Sequence, residues 1–117
     1  MEYVNNNVFG GNVNEGVYWM SYYQTYQEWV QDYGVSLSNL ENFVNMHFTT
    51  SNSFLNFFAA INSGVTIMTN IGSHNVLIVG CTSPENFIYM DPELGYLQTA
   101  HISTFGSYYS IYITGVK

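Results

Sequence analysis

The chain has 117 residues, of which 47% are hydrophobic and 18% aromatic, so it is long enough and apolar enough to bury the core of one domain. Eight Asp and Glu residues stand against a single cationic residue, Lys117, and the formal net charge is −7. Because this charge repels polyphosphates and anionic lipids, it excludes nucleic acid and anionic membranes as expected partners.

The chain has few of the features that mark a disulfide, a membrane span or an export signal. Its single cysteine, Cys81, excludes an internal disulfide and a site built of several thiolates. No apolar stretch approaches the length of a membrane span, and the N-terminus lacks the basic start and apolar run of a signal peptide. We therefore expect no cofactor and no membrane insertion. A chain with no lysine or arginine before its last residue resists trypsin-like proteases, which favours a secreted bacterial setting; a cytosolic protein or a piece of a longer one are the alternatives.

The first half of the chain is predicted to be helical after an irregular N-terminal segment. Residues 1–15 are rich in Asn and Gly, with a candidate short strand at Tyr3–Val4. From Gly16 onward, apolar residues recur every three or four positions, which predicts a helix of about four turns. We expect Asn14–Glu15 to cap this helix and Gly34 to end it.

Two further helices are predicted before the composition changes. In SLSNLENFVNMHF, Ser38 stands three residues before Glu41, which is the spacing of a capping box. Its apolar face carries Leu40, Phe43 and Val44, with His47 as a further candidate. In SNSFLNFFAAINSG, the expected cap is Ser51 or Ser53, and the expected end is Gly64. The inward residues of this helix are predicted to be Phe54, Leu55, Phe58, Ala59 and Ile61.

The second half has the composition of short strands separated by turns. The predicted strands are Val65–Thr69, Asn75–Cys81, Asn86–Met90, Tyr96–Ala100 and Tyr108–Thr114. In DPELG, Pro92 fixes φ and Gly95 can adopt a left-handed conformation, which is typical of a turn. Helices followed by strands predict an α+β domain in which N-terminal helices pack on a C-terminal antiparallel sheet. We see no linker, so residues 1–117 are expected to form a single domain.

The order of the polar residues matches the needs of a triad of nucleophile, base and orienting carboxylate. His74 opens a predicted strand, and Asp91 ends the next strand seventeen residues later. A helix N-terminus favours a thiolate, a facing histidine deprotonates it, and a carboxylate orients the imidazole. If the turn TSPE joins these strands as antiparallel neighbours, His74 and Asp91 meet at the open end of the hairpin.

Three segments resemble the papain-like cysteine peptidases, especially the small bacterial branch that includes the bacteriocin-leader (double-glycine) peptidases. SHNVLIVG…NFIYMDPELG is similar to the family's histidine, strand, turn, strand and Asp-Pro-x-x-Gly segment, and AAINSGVTIMTNI resembles the helix, turn and strand before it. NVNEGVYWMSY is similar to the segment around the catalytic cysteine, with Gly16 two positions before that cysteine and Trp19 directly after it. The resemblance spans roughly residues 8–116.

The resemblance implies a papain-like fold whose catalytic site has lost its nucleophile. His74 and Asp91 take the places of the base and its orienter, Tyr18 stands at the cysteine position, and Asn12 stands at the position of the oxyanion-side glutamine. Because a phenol has a pKa of about 10, a neutral histidine is too weak a base to activate Tyr18. The implied function is that of a catalytically inactive domain whose cleft binds an extended peptide or is vestigial.

Two alternatives stay open, as does the oligomeric state. One is an active acyl-transferring hydrolase of the same fold that uses Ser21, although Ser21 projects away from the helix N-terminus. The other is a secreted structural or interaction module that meets a protein partner through aromatic residues far from His74. For the remaining candidates we expect Cys81 to be a small buried hydrophobe. We predict no metal site, because His47 and His101 have no acidic partner at metal-ligand spacing.

Overall fold

The computed structural model of the protein describes residues 1, 15–27, 37–52, 54, 56–72, 74–91, 95–106 and 109–117. Within these ranges the chain forms three α-helices, a short 3₁₀ helix and one antiparallel sheet of six strands. This is an α+β fold, as the sequence predicts. The candidate strand at Tyr3–Val4, the cap residue Asn14 and the helix stop at Gly34 lie outside the described residues.

The first helix, α1, spans Glu15–Tyr26 and is shorter than its apolar pattern predicts. Gln27 follows it with a φ of 59°, a left-handed conformation from which an α-helix cannot continue. With 12 residues α1 has slightly more than three turns, so the prediction of a helix running on toward Gly34 is wrong. A non-glycine residue in this conformation is uncommon, and nothing in the side-chain pattern announces it.

The second helix, α2, spans Leu37–His47 and buries Phe43 and Val44, as predicted. It begins one residue before Ser38, so Ser38 lies inside the helix and is not its cap. The predicted capping box is therefore wrong at this position.

The third helix, α3, spans Phe57–Asn62 and is capped by Asn56, whose Oδ1 accepts a hydrogen bond of 2.8 Å from the backbone N–H of Ala59. The predicted cap at Ser51 is wrong, because Ser51 ends an unpredicted strand, β1, at Phe48–Ser51. The other predicted cap, Ser53, and the inward residue Leu55 lie outside the described residues. Gly64 ends the helix with a φ of 79°, as predicted.

The other five strands lie where the composition of the second half predicts them, with limits that differ from the predicted ones by at most three residues. They are β2 at Thr66–Ile71, β3 at His74–Ser83, β4 at Asn86–Met90, β5 at Leu97–His101 and β6 at Ile111–Val116. The strand order in the sheet is β1-β6-β2-β3-β4-β5, so β5 is a terminal strand. β3 is twice as long as its partner β4. Register shifts between Ile78 and Gly80 and between Cys81 and Ser83 each accommodate one extra residue of β3, and residues 74–76 extend beyond the segment paired with β4.

Two glycines at turns have left-handed conformations, which the sequence predicts for Gly95. Gly72 has a φ of 60° in the tight turn that joins β2 to β3, where Ile71 pairs with His74. Gly95 has a φ of 76°, and its N–H donates a hydrogen bond of 2.9 Å to the carbonyl of Asp91, closing the turn after β4. Pro92 lies outside the described residues.

The chain divides into two compact units. The first consists of Met1–Thr49 with Gly115–Lys117, and the second consists of Thr50–Thr114. In the second unit α3 packs on β2 and β3 around a buried cluster of alternating strand residues. This cluster comprises Ala60, Val65, Ile67, Val76, Ile78, Phe87, Tyr89 and Phe105. Phe58 and Ile61 of α3 lie against it partly buried, as predicted, and so do Phe54 and Cys81. The prediction of Ala59 as an inward residue is wrong, because the residue of α3 in the core cluster is Ala60.

None of the described helices has the length and the apolar character that crossing a membrane requires.

Candidate functional site

The register of β3 and β4 bears on the predicted pair of His74 and Asp91. Leu77 pairs with Met90, so the next step along β4 brings Asp91 to the level of Val76, two residues from His74 on β3. Diagonal neighbours across an antiparallel pair typically lie about 7–8 Å apart. The backbone thus places both positions at the open end of this hairpin. The side chain of His74 lies outside the described residues, so a contact between His74 and Asp91 stays a prediction.

Tyr18, at the predicted nucleophile position, is a core residue of the first unit. Its side chain is only 4% exposed, its ring stacks on Phe48 with centroids 6.3 Å apart, and its ring meets His47 edge-on at 5.1 Å. The phenol therefore fills an apolar interior position between α1, α2 and β1, and a ring of this size is explained by packing alone. Asn12, at the predicted oxyanion position, lies outside the described residues.

His47 was predicted only as a further candidate for the apolar face of α2, but it contacts groups of both α1 and α2. It is the last residue of α2, and its imidazole meets the rings of Tyr18 and Phe43 edge-on, the latter with centroids 4.7 Å apart. Its Nε2 lies 3.1 Å from the hydroxyl oxygen of Ser21 on α1, which is hydrogen-bond distance. Its backbone carbonyl accepts a hydrogen bond of 3.0 Å from the N–H of Lys117.

The local sequence explains how α1 and α2 bring these groups together. Tyr18 and Ser21 are three residues apart on α1, and Phe43 and His47 are four apart on α2, so each pair shares one helix face. Both faces meet within the first unit. The helical period predicts which residues share a helix face. It does not predict that these two faces meet, which only the tertiary structure shows.

Burial governs the protonation of His47. Loss of water around the imidazole lowers the pKa of His47 below its usual value of 6.5, because burial disfavours the charged form. The groups that face it are the phenol of Tyr18, the hydroxyl of Ser21 and the ring of Phe43, and none of these three carries a charge at neutral pH. His47 is therefore neutral at pH 7.

This shift predicts how stability depends on pH. The unfolded chain binds a proton at His47 near pH 6.5, whereas the folded chain does so only at lower pH. Stabilisation by neutral His47 is therefore complete above pH 6.5 and is lost as pH falls toward the lowered pKa. We expect the free energy of unfolding, measured by urea denaturation, to fall as the pH is lowered from neutral through 6.5 and below.

The substitution His47→Gln should reduce this pH dependence, because glutamine does not titrate. A matched control is His101→Gln, which removes an exposed histidine at the end of β5. If the dependence is as steep in His47→Gln as in the unsubstituted protein, another group is responsible for it.

The outer edge of β5 presents a row of backbone groups. The N–H of Ile102 donates a hydrogen bond of 2.7 Å to the carbonyl of Glu85, so this level of the β4–β5 ladder is hydrogen-bonded. Hydrogen-bonded levels alternate along an antiparallel pair. Ala100 and Gln98 therefore direct their backbone N–H and C=O groups toward β4. The backbone groups of Leu97, Thr99 and His101 point to the opposite side, where the described residues place no further strand.

The side chains of β5 follow the same alternation. Leu97, Thr99 and His101 are exposed, with Leu97 at 52%, whereas Ala100 packs against the core cluster of the second unit and Gln98 accepts a hydrogen bond of 2.9 Å from the Tyr89 hydroxyl. Exposed Tyr96 and Ile102 flank the strand. His101 Nε2 lies 3.6 Å from a carboxylate oxygen of Glu85, and both side chains are open to water. The edge is thus apolar at both ends, at Tyr96–Leu97 and at Ile102, and the exposed carboxylate of Glu85 lies near the His101 end.

A polar network joins β2 to the segment before β6. The Tyr109 hydroxyl donates to the carbonyl of Thr69 at 3.0 Å and contacts Asn75 Oδ1, and Thr69 Oγ1 donates back to the carbonyl of Tyr109 at 2.9 Å. Burial raises the pKa of Tyr109 to about 12. A phenol that holds its proton this firmly acts as a hydrogen-bond donor, so this network is a structural tie.

The remaining candidates have structural roles. Cys81 is a half-buried free thiol against the core cluster, and the ring of His101 bonds Ser103 at 2.9 Å. Among the described residues, no cluster of three or more His, Cys, Asp or Glu side chains has a metal-binding arrangement.

Comparisons of the chain with protein-family models, with curated proteins and with solved structures found no match. The α+β fold class is assigned from the structure of this chain alone. The likeness to papain-like peptidases stays a prediction from the sequence.

Proposed function

We propose that the protein is a peptide-binding domain without peptidase activity, and that it takes an extended, positively charged peptide as an added strand on the outer edge of β5. The observation that carries this proposal is the row of outward backbone groups on Leu97, Thr99 and His101. Strand addition to such an edge uses main-chain hydrogen bonds for affinity and alternate side chains for selectivity.

The composition of β5 supports a role in recognition. Terminal strands of soluble proteins are commonly protected from pairing by lysine, proline or a bulge. β5 contains none of the three, and the described pairing of β4 with β5 is continuous from Asn86–His101 to Met90–Leu97. Leu97 and the flanking Tyr96 and Ile102 are exposed apolar side chains that an incoming strand would cover.

The negative charge of the protein determines which kind of partner fits the β5 edge. The chain carries a net charge of −7, and Glu85 lies exposed beside the end of β5. A second copy of the chain would bring a further −7 to the edge, whereas a peptide with lysine or arginine side chains is attracted to it. A basic peptide is therefore the better fit.

The absence of peptide hydrolysis rests on the predicted kinship with papain-like peptidases. In that alignment Tyr18 replaces the catalytic cysteine, and Tyr18 is buried against Phe48 and His47. A buried phenol attacks no peptide bond. His74 and Asp91 are proposed to be a vestigial base and orienter, and Asn12 the remnant of the oxyanion side.

Substitution of Thr99 tests the binding site directly. Proline at position 99 removes an outward N–H and places its ring toward an incoming strand, but it takes no hydrogen bond from the β4–β5 ladder. We expect Thr99→Pro to weaken binding about tenfold or more, since one hydrogen bond contributes about 1 kcal/mol and the ring obstructs the added strand. The probe is a fluorescent peptide of about eight residues that alternates lysine and valine, measured by anisotropy.

Two control substitutions separate binding from folding. Thr99→Ala keeps the backbone N–H and should bind the peptide nearly as well as the unsubstituted protein. Ala100→Pro removes a donor that points to β4 and should lower the free energy of unfolding instead. Chromatography of the incubated peptide should show it intact.

Three outcomes would overturn the proposal. Equal binding to Thr99→Pro would place the peptide elsewhere on the protein. Failure of the lysine–valine peptide to bind, together with a dimer that Thr99→Pro converts to monomer, would assign the edge to a second copy of the chain. Cleavage of the peptide would contradict the absence of hydrolysis.

A further inference from the structure

The contact between Ser21 and His47 has the geometry of a catalytic pair, and it is independent of the β5 edge. We propose that Ser21 and His47 form a nucleophile–base pair that accepts an acyl group from small, neutral, activated esters. The distance of 3.1 Å between Ser21 Oγ and His47 Nε2 falls in the range that a serine nucleophile and its general base require.

The surroundings of His47 fit the role of a base. An imidazole must be neutral to accept a proton, and burial holds the pKa of His47 below 6.5. The rings of Tyr18 and Phe43 meet it edge-on at 5.1 and 4.7 Å, which restricts its rotation. With its own proton on Nδ1, the imidazole presents the Nε2 lone pair to the Ser21 hydroxyl.

Ser21 is accessible enough to act. It is half-buried, whereas Tyr18 one turn earlier is buried. The side chains of Met20 and Met46, which precede Ser21 and His47 in the chain, are about half exposed and add apolar surface to the two helices. An apolar acyl group suits such a surface, and the net charge of −7 disfavours anionic esters.

The proposed step balances without a further reagent. Ser21 Oγ attacks the ester carbonyl carbon while its proton passes to His47 Nε2. The bond between carbonyl carbon and leaving oxygen breaks, and an alkoxide or phenolate departs. His47 then releases its proton to that oxygen or to water, and the acyl group stays on Ser21 until water, deprotonated by His47, releases it as a carboxylic acid.

The probe is p-nitrophenyl acetate, with release of p-nitrophenolate followed by absorbance and the acetyl group located by peptide mass spectrometry. We expect acetylation at Ser21 and a loss of at least about tenfold in rate for Ser21→Ala and His47→Gln, since general-base catalysis typically contributes about 10²–10⁴-fold. The matched control is Ser38→Ala, which removes an exposed serine of α2 and should leave the rate unchanged.

The pH profile of the unsubstituted protein is an independent readout that needs no variant to fold. The rate of acetylation should rise through the pKa of His47, below pH 6.5, and level off by neutral pH. Acetyl groups found elsewhere, a rate that Ser21→Ala leaves unchanged, or a rate that keeps rising with pH as for simple hydroxide attack would each overturn the proposal. A merely structural hydrogen bond would produce none of the expected results.

Discussion

Replacing Phe87 by alanine should cause a large loss of stability, because this side chain lies at the centre of the aromatic core of the second unit. Phe87 lies on β4 with its side chain 0% exposed, and its ring meets Phe57 of α3 edge-on at 5.8 Å and Phe105 at 6.4 Å. Truncation of a fully buried phenylalanine removes its transfer free energy and leaves a cavity. We expect Phe87→Ala to lower the free energy of unfolding by about 3–5 kcal/mol.

Urea denaturation followed by circular dichroism measures this loss, and Leu97→Ala is the matched control. Leu97 is a large apolar residue of the neighbouring strand, but it is 52% exposed, so its truncation should change stability by no more than about 0.5 kcal/mol. Similar losses for both variants would mean that the aromatic cluster around Phe87 is not the core of the second unit.

The strands were predictable because local features of the sequence mark them. β4 and β5 alternate between more buried and more exposed residues, β2 is buried at five of its six positions, and turn residues such as Gly72 and Gly95 separate neighbouring strands. Both signals are local and follow from the chemistry of single residues. The limits of β4, Asn86–Met90, were predicted to the residue.

The errors arise where a tertiary or backbone effect overrides the local pattern. The left-handed Gln27 ends α1 partway along a pattern of apolar residues spaced three or four positions apart. Phe48–Ser51 pairs as a strand directly after α2 with no turn residue between them. At α3, Asn56 supplies the cap instead of Ser51, since Ser51 is itself the last residue of strand β1. Propensity at a helix end is a weak signal against strand pairing.

The candidate sites were predictable only in part, for the same reason. The sequence placed His74 and Asp91 on neighbouring strands, and the register brings these positions to one end of the hairpin. The contact of Ser21 with His47 links residues that are 26 positions apart, and the outward direction of Thr99 depends on which levels of a ladder are hydrogen-bonded. Neither is encoded in a motif.

A second large effect is expected where Gly106 lies against Asn70. A Cβ built on Gly106 would overlap the side-chain amide nitrogen of Asn70 and would lie 2.9 Å from its Cγ. Asn70 cannot easily move away, because it is only 2% exposed, its Nδ2 donates a hydrogen bond of 2.7 Å to the carbonyl of Gly72, and its own carbonyl accepts one of 2.6 Å from the N–H of Gly106. We expect Gly106→Ala to cost about 1–3 kcal/mol, as overpacking in a core does.

The double variant Asn70→Ala/Gly106→Ala identifies the cause of this cost. Asn70 Oδ1 is buried and accepts no hydrogen bond from any described residue, so Asn70→Ala relieves that penalty while it gives up the bond to Gly72. In the Asn70→Ala background, the methyl group of Gly106→Ala enters vacated space, and the second substitution should be neutral or stabilising. A double-mutant cycle by urea denaturation should therefore give a favourable coupling of at least about 1 kcal/mol. Additive losses would mean that the cost of Gly106→Ala does not arise from overlap with the side chain of Asn70.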